Sequence, residues 1–117
     1  MSDPASAAAL AQRQLDAYNA HDLEAFVACY TDDVEVRDLR AGALLLQGRD
    51  ALRVRYGPLF ERQALHAALV SRTTLGDDVA LDVERVRGLR DDGAQVDAVA
   101  IYERRGDLIA KVWLIRP

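Results

Sequence analysis

Apolar positions change their spacing along this chain, from helical intervals in the N-terminal part to alternation in the C-terminal part. Ala8, Ala11, Leu15 and Tyr18 recur every three or four residues, which predicts a helix over 5–18 with Gln12, Arg13 and Asp16 left for water. Asn19, Ala20 and His21 break the pattern, and Asp22 then stands where its carboxylate can cap a second helix. Leu23, Phe26, Val27 and Tyr30 form the stripe of that helix, which Thr31, Asp32 and Asp33 should stop by competing for backbone hydrogen bonds. Residues 34–38 alternate as a strand. Val34 and Val36 point inward, and a period of two puts Asp38 on their side. A turn at 40–42, a short apolar strand at 43–46 and a third helix opened by Gly48 follow, with Leu52, Tyr56 and Leu59 inward. Pro58 is expected to kink or end that helix, because it lacks an N–H donor and its ring crowds the preceding turn.

The remainder reads as sheet. Strands are predicted at 65–75, 79–88, 95–104 and 108–116, separated by turns at 76–78, 90–93 and 105–107 in which glycine sits beside aspartate. Turns of this kind imply antiparallel hairpins and a meander. The third of these strands is apolar on both faces near 98–101 and should be central. Helices followed by an antiparallel sheet give an α+β domain spanning 1–117, with the helices on one sheet face. A curved sheet covered by helices leaves a cavity on its concave side, a place that small-molecule sites favour.

Charge and cysteine content narrow the function. A net charge of -4, with arginines interspersed among acids, offers no basic patch to a nucleic acid. No apolar run is long enough to cross a bilayer, and MSDPASAAAL does not read as a secretory signal. One cysteine, Cys29, allows no internal disulfide and fits a reducing cytoplasm. His21 and His66 lack metal-ligand spacing, and the glycines lie at turns rather than in a phosphate-cradling loop. The expectation is a protein without metal or cofactor.

Three segments carry a resemblance: YNAHDLEAFVACYTDDVEVRD, QGRDAL at the opening of the third helix, and IYERRGDLIAKVWLI at the end. In these and in element order the chain resembles the nuclear-transport-factor-2-like superfamily, in its ketosteroid-isomerase-like and SnoaL-like bacterial branch. The resemblance implies a cone-shaped α+β fold with a strongly curved, mostly antiparallel sheet and three helices closing an apolar pocket. It also implies homodimers through the outer sheet face.

Candidate chemistry centres on Asp38, which matches the proton-shuttling aspartate of the ketosteroid isomerases. A carboxylate in an apolar pocket gains proton affinity and can act as a base. The competing reading has Asp38 finish its strand and cap the following turn. The family's oxyanion tyrosine falls on Gln14 and its protonated acid near Ala100, so steroid isomerisation is not expected to be efficient. Tyr30 and Tyr56 match supporting aromatic positions. Asp82 and Glu84 share one face of their strand, either a solvated face or, by resemblance, the cavity side together with Lys111 and Trp113. Lys111 also reads as an ordinary surface residue. An epoxide-hydrolase-like site would require an acid–arginine–acid cluster, and Arg85 points away from the acids. Trp113, Tyr102 and Phe60 could line a cavity or form plain core, and Cys29 reads as a buried inert thiol.

The functional expectation is a cytoplasmic pocket protein acting on a small apolar or carbonyl-bearing molecule by acid–base proton transfer, as an isomerase or lyase. The alternative is a non-catalytic ligand-binding or dimerisation module.

Overall fold

The structure, a computed structural model of the chain, describes residues 6–115. The expected helix start at Ala5 and the expected strand end at Arg116 lie outside the described residues. Helix α1 spans Ala7–Asn19, with the Ser6 side chain accepting from the Ala9 N–H at 3.1 Å. Its buried face includes Leu10, Ala11, Gln14 and Leu15, so a glutamine is carried into the interior among apolar neighbours. Asp22 caps α2, Leu23–Val27, through the Ala25 N–H at 3.1 Å.

Strand β1, Tyr30–Asp38, begins earlier than the polar stop at 31–33 suggested. The reason is tertiary. The Ile109 N–H donates to the Cys29 carbonyl at 2.9 Å, and Tyr30 pairs with Ile109, which draws Tyr30 out of helix geometry and into the sheet. Strand β2, Leu44–Gln47, leads to α3, Arg49–Phe60. This helix runs through Pro58 and ends two residues later. So near the C-terminus Pro58 removes a single helical hydrogen bond, and Val54, whose carbonyl loses it, is exposed to water.

Strands β3 (His66–Leu75), β4 (Val79–Arg87), β5 (Val96–Arg105) and β6 (Leu108–Ile115) follow as the expected meander. The six-stranded sheet has the order β2-β1-β6-β5-β4-β3, with β5 and β6 at its centre and β1 parallel to β6. It is open, with β2 and β3 as edges, and thus α+β as expected.

The core lies between the helices and one sheet face, where Leu10, Val27, Val34, Val36, Leu52, Ala80 and Ile109 are almost fully buried. Gly88 closes one end of it. Its φ of +84° is a left-handed conformation, and a Cβ there would come within 2.5 Å of backbone atoms of Ala64 and Leu65. That close approach holds the β4–β5 connection, and Leu89 with it, over the helical side.

The opposite sheet face carries no helix among the described residues. Leu81, Ile101 and Trp113 stand in register across it, as do Val83, Val99 and Ile115, all partly exposed. Lys111 and Trp113 belong to this outer face, with the Lys111 Nζ 5.5 Å from the Trp113 ring centre. The expectation that they join the cavity is corrected by strand alternation, since Val112 and Leu114 are the residues of β6 that turn inward.

Candidate functional site

All four tyrosines of the chain, Tyr18, Tyr30, Tyr56 and Tyr102, converge on one small cavity of about 70 Å³ between the helices and the sheet. They arrive from α1, β1, α3 and β5. Gln14 and Glu84 complete the polar lining, among apolar residues such as Leu15, Val36, Leu52, Ala100 and Val112. Phe26 packs between the rings of Tyr30 and Tyr56, at centroid distances of 5.1 and 4.8 Å, and fixes both from behind.

Gln14 organises the deep end. Its Nε2 donates to the Ala11 carbonyl and to the Tyr102 hydroxyl, both at 2.9 Å, while its Oε1 accepts from the Tyr30 hydroxyl at 3.4 Å. The Tyr102 oxygen is therefore already an acceptor, which polarises its O–H and leaves that proton for another partner. Burial raises the proton affinity of Tyr18, Tyr30, Tyr56 and Tyr102 above that of an ordinary phenol. These side chains are neutral donors at physiological pH, not bases.

Glu84 is the acid of the cavity. Its Oε1 is buried and, among the described residues, is the one buried side-chain nitrogen or oxygen without a hydrogen-bond partner. Burial pushes its pKa up to about 7, the nearby charge of Asp82 adds to the rise, and Arg72 and the Tyr102 hydroxyl oppose it. A native orphan of this kind asks for an explanation, and a ligand in the cavity supplies one.

Asp82, two residues earlier on the same face, is fully buried and saturated. Arg72 grips it with two bonds, Nε to Oδ1 at 2.7 Å and Nη2 to Oδ2 at 2.9 Å, and a third bond holds Arg72 to Gln12 Oε1 at 3.1 Å. The two acids that share this strand face are thus different in kind. Arg85 faces away and pairs with Asp97 at 3.0 Å.

Asp38 pairs with Leu114 on β6 and so lies on the helix-covered face, as its phase required. It stands at the end of the strand, however. Its Oδ1 accepts from the N–H groups of Arg40 at 2.9 Å and Ala41 at 3.4 Å, capping the turn. It lines an outer groove of about 610 Å³ with Leu45, Arg55, Leu59, Leu89, Arg90 and Val96, not the tyrosine cavity. Leu59 and Leu89 line both spaces, so the groove and the cavity share a wall.

The structure thus brings Gln14, Tyr30, Tyr56 and Glu84 together, sets Asp82 beside Glu84 but outside the cavity lining, leaves Asp38 in the outer groove and turns Lys111 and Trp113 outward. Sequence reasoning missed Arg72 and placed Tyr18 only on a helix stripe. Arg72 had a usable signal: counting back from the 76–78 hairpin turn pairs Leu75 with Val79 and hence Arg72 with Asp82. Among the described residues no group of three or more His, Cys, Asp or Glu is placed to hold a metal ion, and no helix is long and apolar enough to cross a membrane.

Comparison with known proteins agrees with this architecture. The family model for the SnoaL-like domain matches residues 11–112. No curated protein matches the chain. Among solved structures, an uncharacterised cystatin-fold protein from Novosphingobium aromaticivorans is 30% identical, with a TM-score of 0.81 over 95% of this chain and 98% of that one. A proposed polyketide cyclase from Sinorhizobium meliloti is 23% identical, with a TM-score of 0.74 over 91% of this chain and 93% of that one. A proposed ketosteroid isomerase from Kribbella flavida is 17% identical, with a TM-score of 0.75 over 93% of this chain and 76% of that one. The latter two share the fold. By its matched span, the chain belongs to the SnoaL-like domain family.

Proposed function

We propose that this protein is a cofactor-free isomerase or lyase that moves a proton on a small carbonyl-bearing molecule, with Glu84 as the acid–base group. One observation carries the reading: a buried carboxylate oxygen without a partner opens into a cavity ringed by every tyrosine of the chain. A carboxyl whose pKa lies at about 7 is present in both forms at neutral pH, so it can take a proton and give it back. The Glu84 carboxylate removes a proton from the carbon beside the carbonyl, and the electron pair moves onto the carbonyl oxygen. The Tyr102 O–H, polarised from behind by Gln14, donates to that developing oxyanion. The proton on Glu84 then returns to a different carbon, which completes an isomerisation; in a cyclisation the enolate carbon instead attacks a second carbonyl of the same molecule, whose C=O π bond breaks to an alkoxide that takes the proton from Glu84.

Size supports the same reading and limits the substrate. Ligand pockets commonly span roughly 300–1,000 Å³, whereas the cavity measures about 70 Å³ and the groove about 610 Å³. The reacting carbonyl and its neighbouring carbons enter the cavity, and the rest of the substrate lies along Leu45, Leu59, Leu89 and Val96 in the groove. A rigid steroid nucleus is a poor fit. The outer apolar rows of Leu81, Ile101 and Trp113 and of Val83, Val99 and Ile115 suit a second copy of the chain, so the working unit in this proposal is a homodimer.

The test is a panel of small enones, 3-oxo compounds and ketosteroids assayed with wild type, Glu84→Gln and Asp38→Asn. Loss of a general acid–base group costs about 10²–10⁴-fold in rate, and that loss is expected for Glu84→Gln, while Asp38→Asn should stay within about tenfold of wild type. Undiminished turnover by Glu84→Gln would overturn the assignment. Tight binding across the panel without turnover would establish a ligand-binding module instead.

A further inference from the structure

The Arg72–Asp82 pair is more elaborate than a link between two strands needs. Hairpin pairing already holds β3 to β4 from His66 to Leu75. A buried ion pair adds little net stability, because desolvating both charges offsets most of their attraction. Yet Asp82 is fully buried, both its oxygens are bound to Arg72, and Arg72 is anchored a third time to Gln12 on α1. Two full charges are thereby fixed beside the cavity.

Their placement relative to Glu84 is unequal. Asp82 and Glu84 are two residues apart on one strand, so their side chains rise from the same face as direct neighbours. Arg72 lies on β3 opposite Asp82, whereas the partner of Glu84 on β3 is Leu69, with the sheet bulged between Leu69 and Ser71. The negative member of the pair is the nearer one. The other titratable side chains around Glu84 are the phenols of Tyr18 from α1, Tyr30 from β1, Tyr56 from α3 and Tyr102 from β5, all neutral, while β6 contributes Val112 and Leu114.

We propose that the Arg72–Asp82 pair is an electrostatic positioning element, two charges held rigidly behind the cavity to set the pH at which Glu84 exchanges its proton. Asp82 holds the proton on Glu84 and Arg72 releases it, with Asp82 dominant because it is closer. The neighbouring charge of Asp82 accordingly raises the proton affinity of Glu84 and that of Arg72 lowers it. This assignment rests on Glu84 being the acid–base group of the site. It assigns a role in catalysis to two residues that do not touch the substrate.

The experiment needs no substrate. The side-chain carboxyl of Glu84 is titrated by carbon-13 NMR in wild type, Asp82→Asn and Arg72→Gln, with Glu84→Gln assigning the signal. Removing the neighbouring anion should lower the Glu84 midpoint by about one pH unit, and removing the cation should raise it, by a smaller amount. A strand-linking role alone would lower thermal stability in both variants and leave the midpoint in place. That result, or movement of both midpoints in one direction, would overturn the proposal. Should either single variant fail to fold, Arg72→Met combined with Asp82→Leu removes both charges and keeps a packed interior. Its midpoint is expected to fall, and an unchanged midpoint there would sink the idea equally. The catalytic reading fails separately: turnover surviving Glu84→Gln would remove it while leaving the titration result intact.

Discussion

Two carboxylates stand on the helix-covered face of one sheet and live in opposite surroundings. Glu84 comes from the middle of β4 and is covered by α1, α3 and the tyrosines they carry, so no protein donor reaches its Oε1. Asp38 comes from the last position of β1, where the turn that follows folds two N–H groups back onto it beside an open groove. Strand phase is identical in the two cases. Position along the strand decides whether a carboxylate is desolvated and left waiting or is spent on closing a turn.

That contrast can be broken most strongly at the donor that faces Glu84. Tyr102→Phe removes the polarised hydroxyl, and kcat should fall about 100-fold with whichever compound of the panel wild type turns over, as when one oxyanion donor is deleted. Steady-state kinetics decides it. A rise in KM with kcat unmoved would assign Tyr102 to substrate binding alone.

The next effect is on stability and pH. The Glu84 pKa in the folded state, about 7, lies above the ordinary 4.5, so the native state holds a proton that the unfolded chain has already released between those values. Stability from this group is therefore full below about pH 4.5 and is lost as pH rises through about 7. Glu84→Gln keeps the shape without the charge, and denaturant unfolding should find it more stable than wild type above pH 7 by up to about 2 kcal/mol. The gain should vanish near pH 4.5. An equal gain at both pH values would mean the charge is not what matters.

The smallest effect belongs to Asp38. Asp38→Ala removes a turn cap and should cost about 1 kcal/mol in urea unfolding, by analogy with lost side-chain caps. Its activity on small substrates that reach only the cavity should be nearly unchanged. A loss there as large as that of Glu84→Gln would reverse the roles of the two acids.

The sequence was most legible where local periodicity and global fold agreed. The spacing of Leu23, Phe26 and Val27, the cap at Asp22 and the glycine–aspartate turns led directly to α2 and to the β3–β6 meander. It was less legible where a long-range partner overrode a local signal. Tyr30 extends a helical stripe in sequence but is taken by Ile109 into β1, and Pro58 reads as a stop yet costs only one exposed hydrogen bond. The site divides in the same way. Alternation put Asp82 and Glu84 on one face but could not say which face the helices cover. It also could not separate Asp82, gripped by Arg72, from Glu84, whose Oε1 has no partner. Resemblance directed attention to Asp38, whereas the folded surroundings single out Glu84.

The parallel pairing of β1 with β6 has a consequence for how the molecule comes into being. Residues 30–38 find their central neighbour in residues 109–114, about two thirds of the chain away, and a long loop must close before that contact forms. During synthesis the helices and the β3–β4 hairpin can form early. The space around Glu84, roofed in part by Val112 and Leu114, cannot close until β6 has left the ribosome. A stalled or shortened nascent chain would therefore hold a solvated Glu84 of ordinary acidity, and the acid–base character of the site would appear only with the last strand.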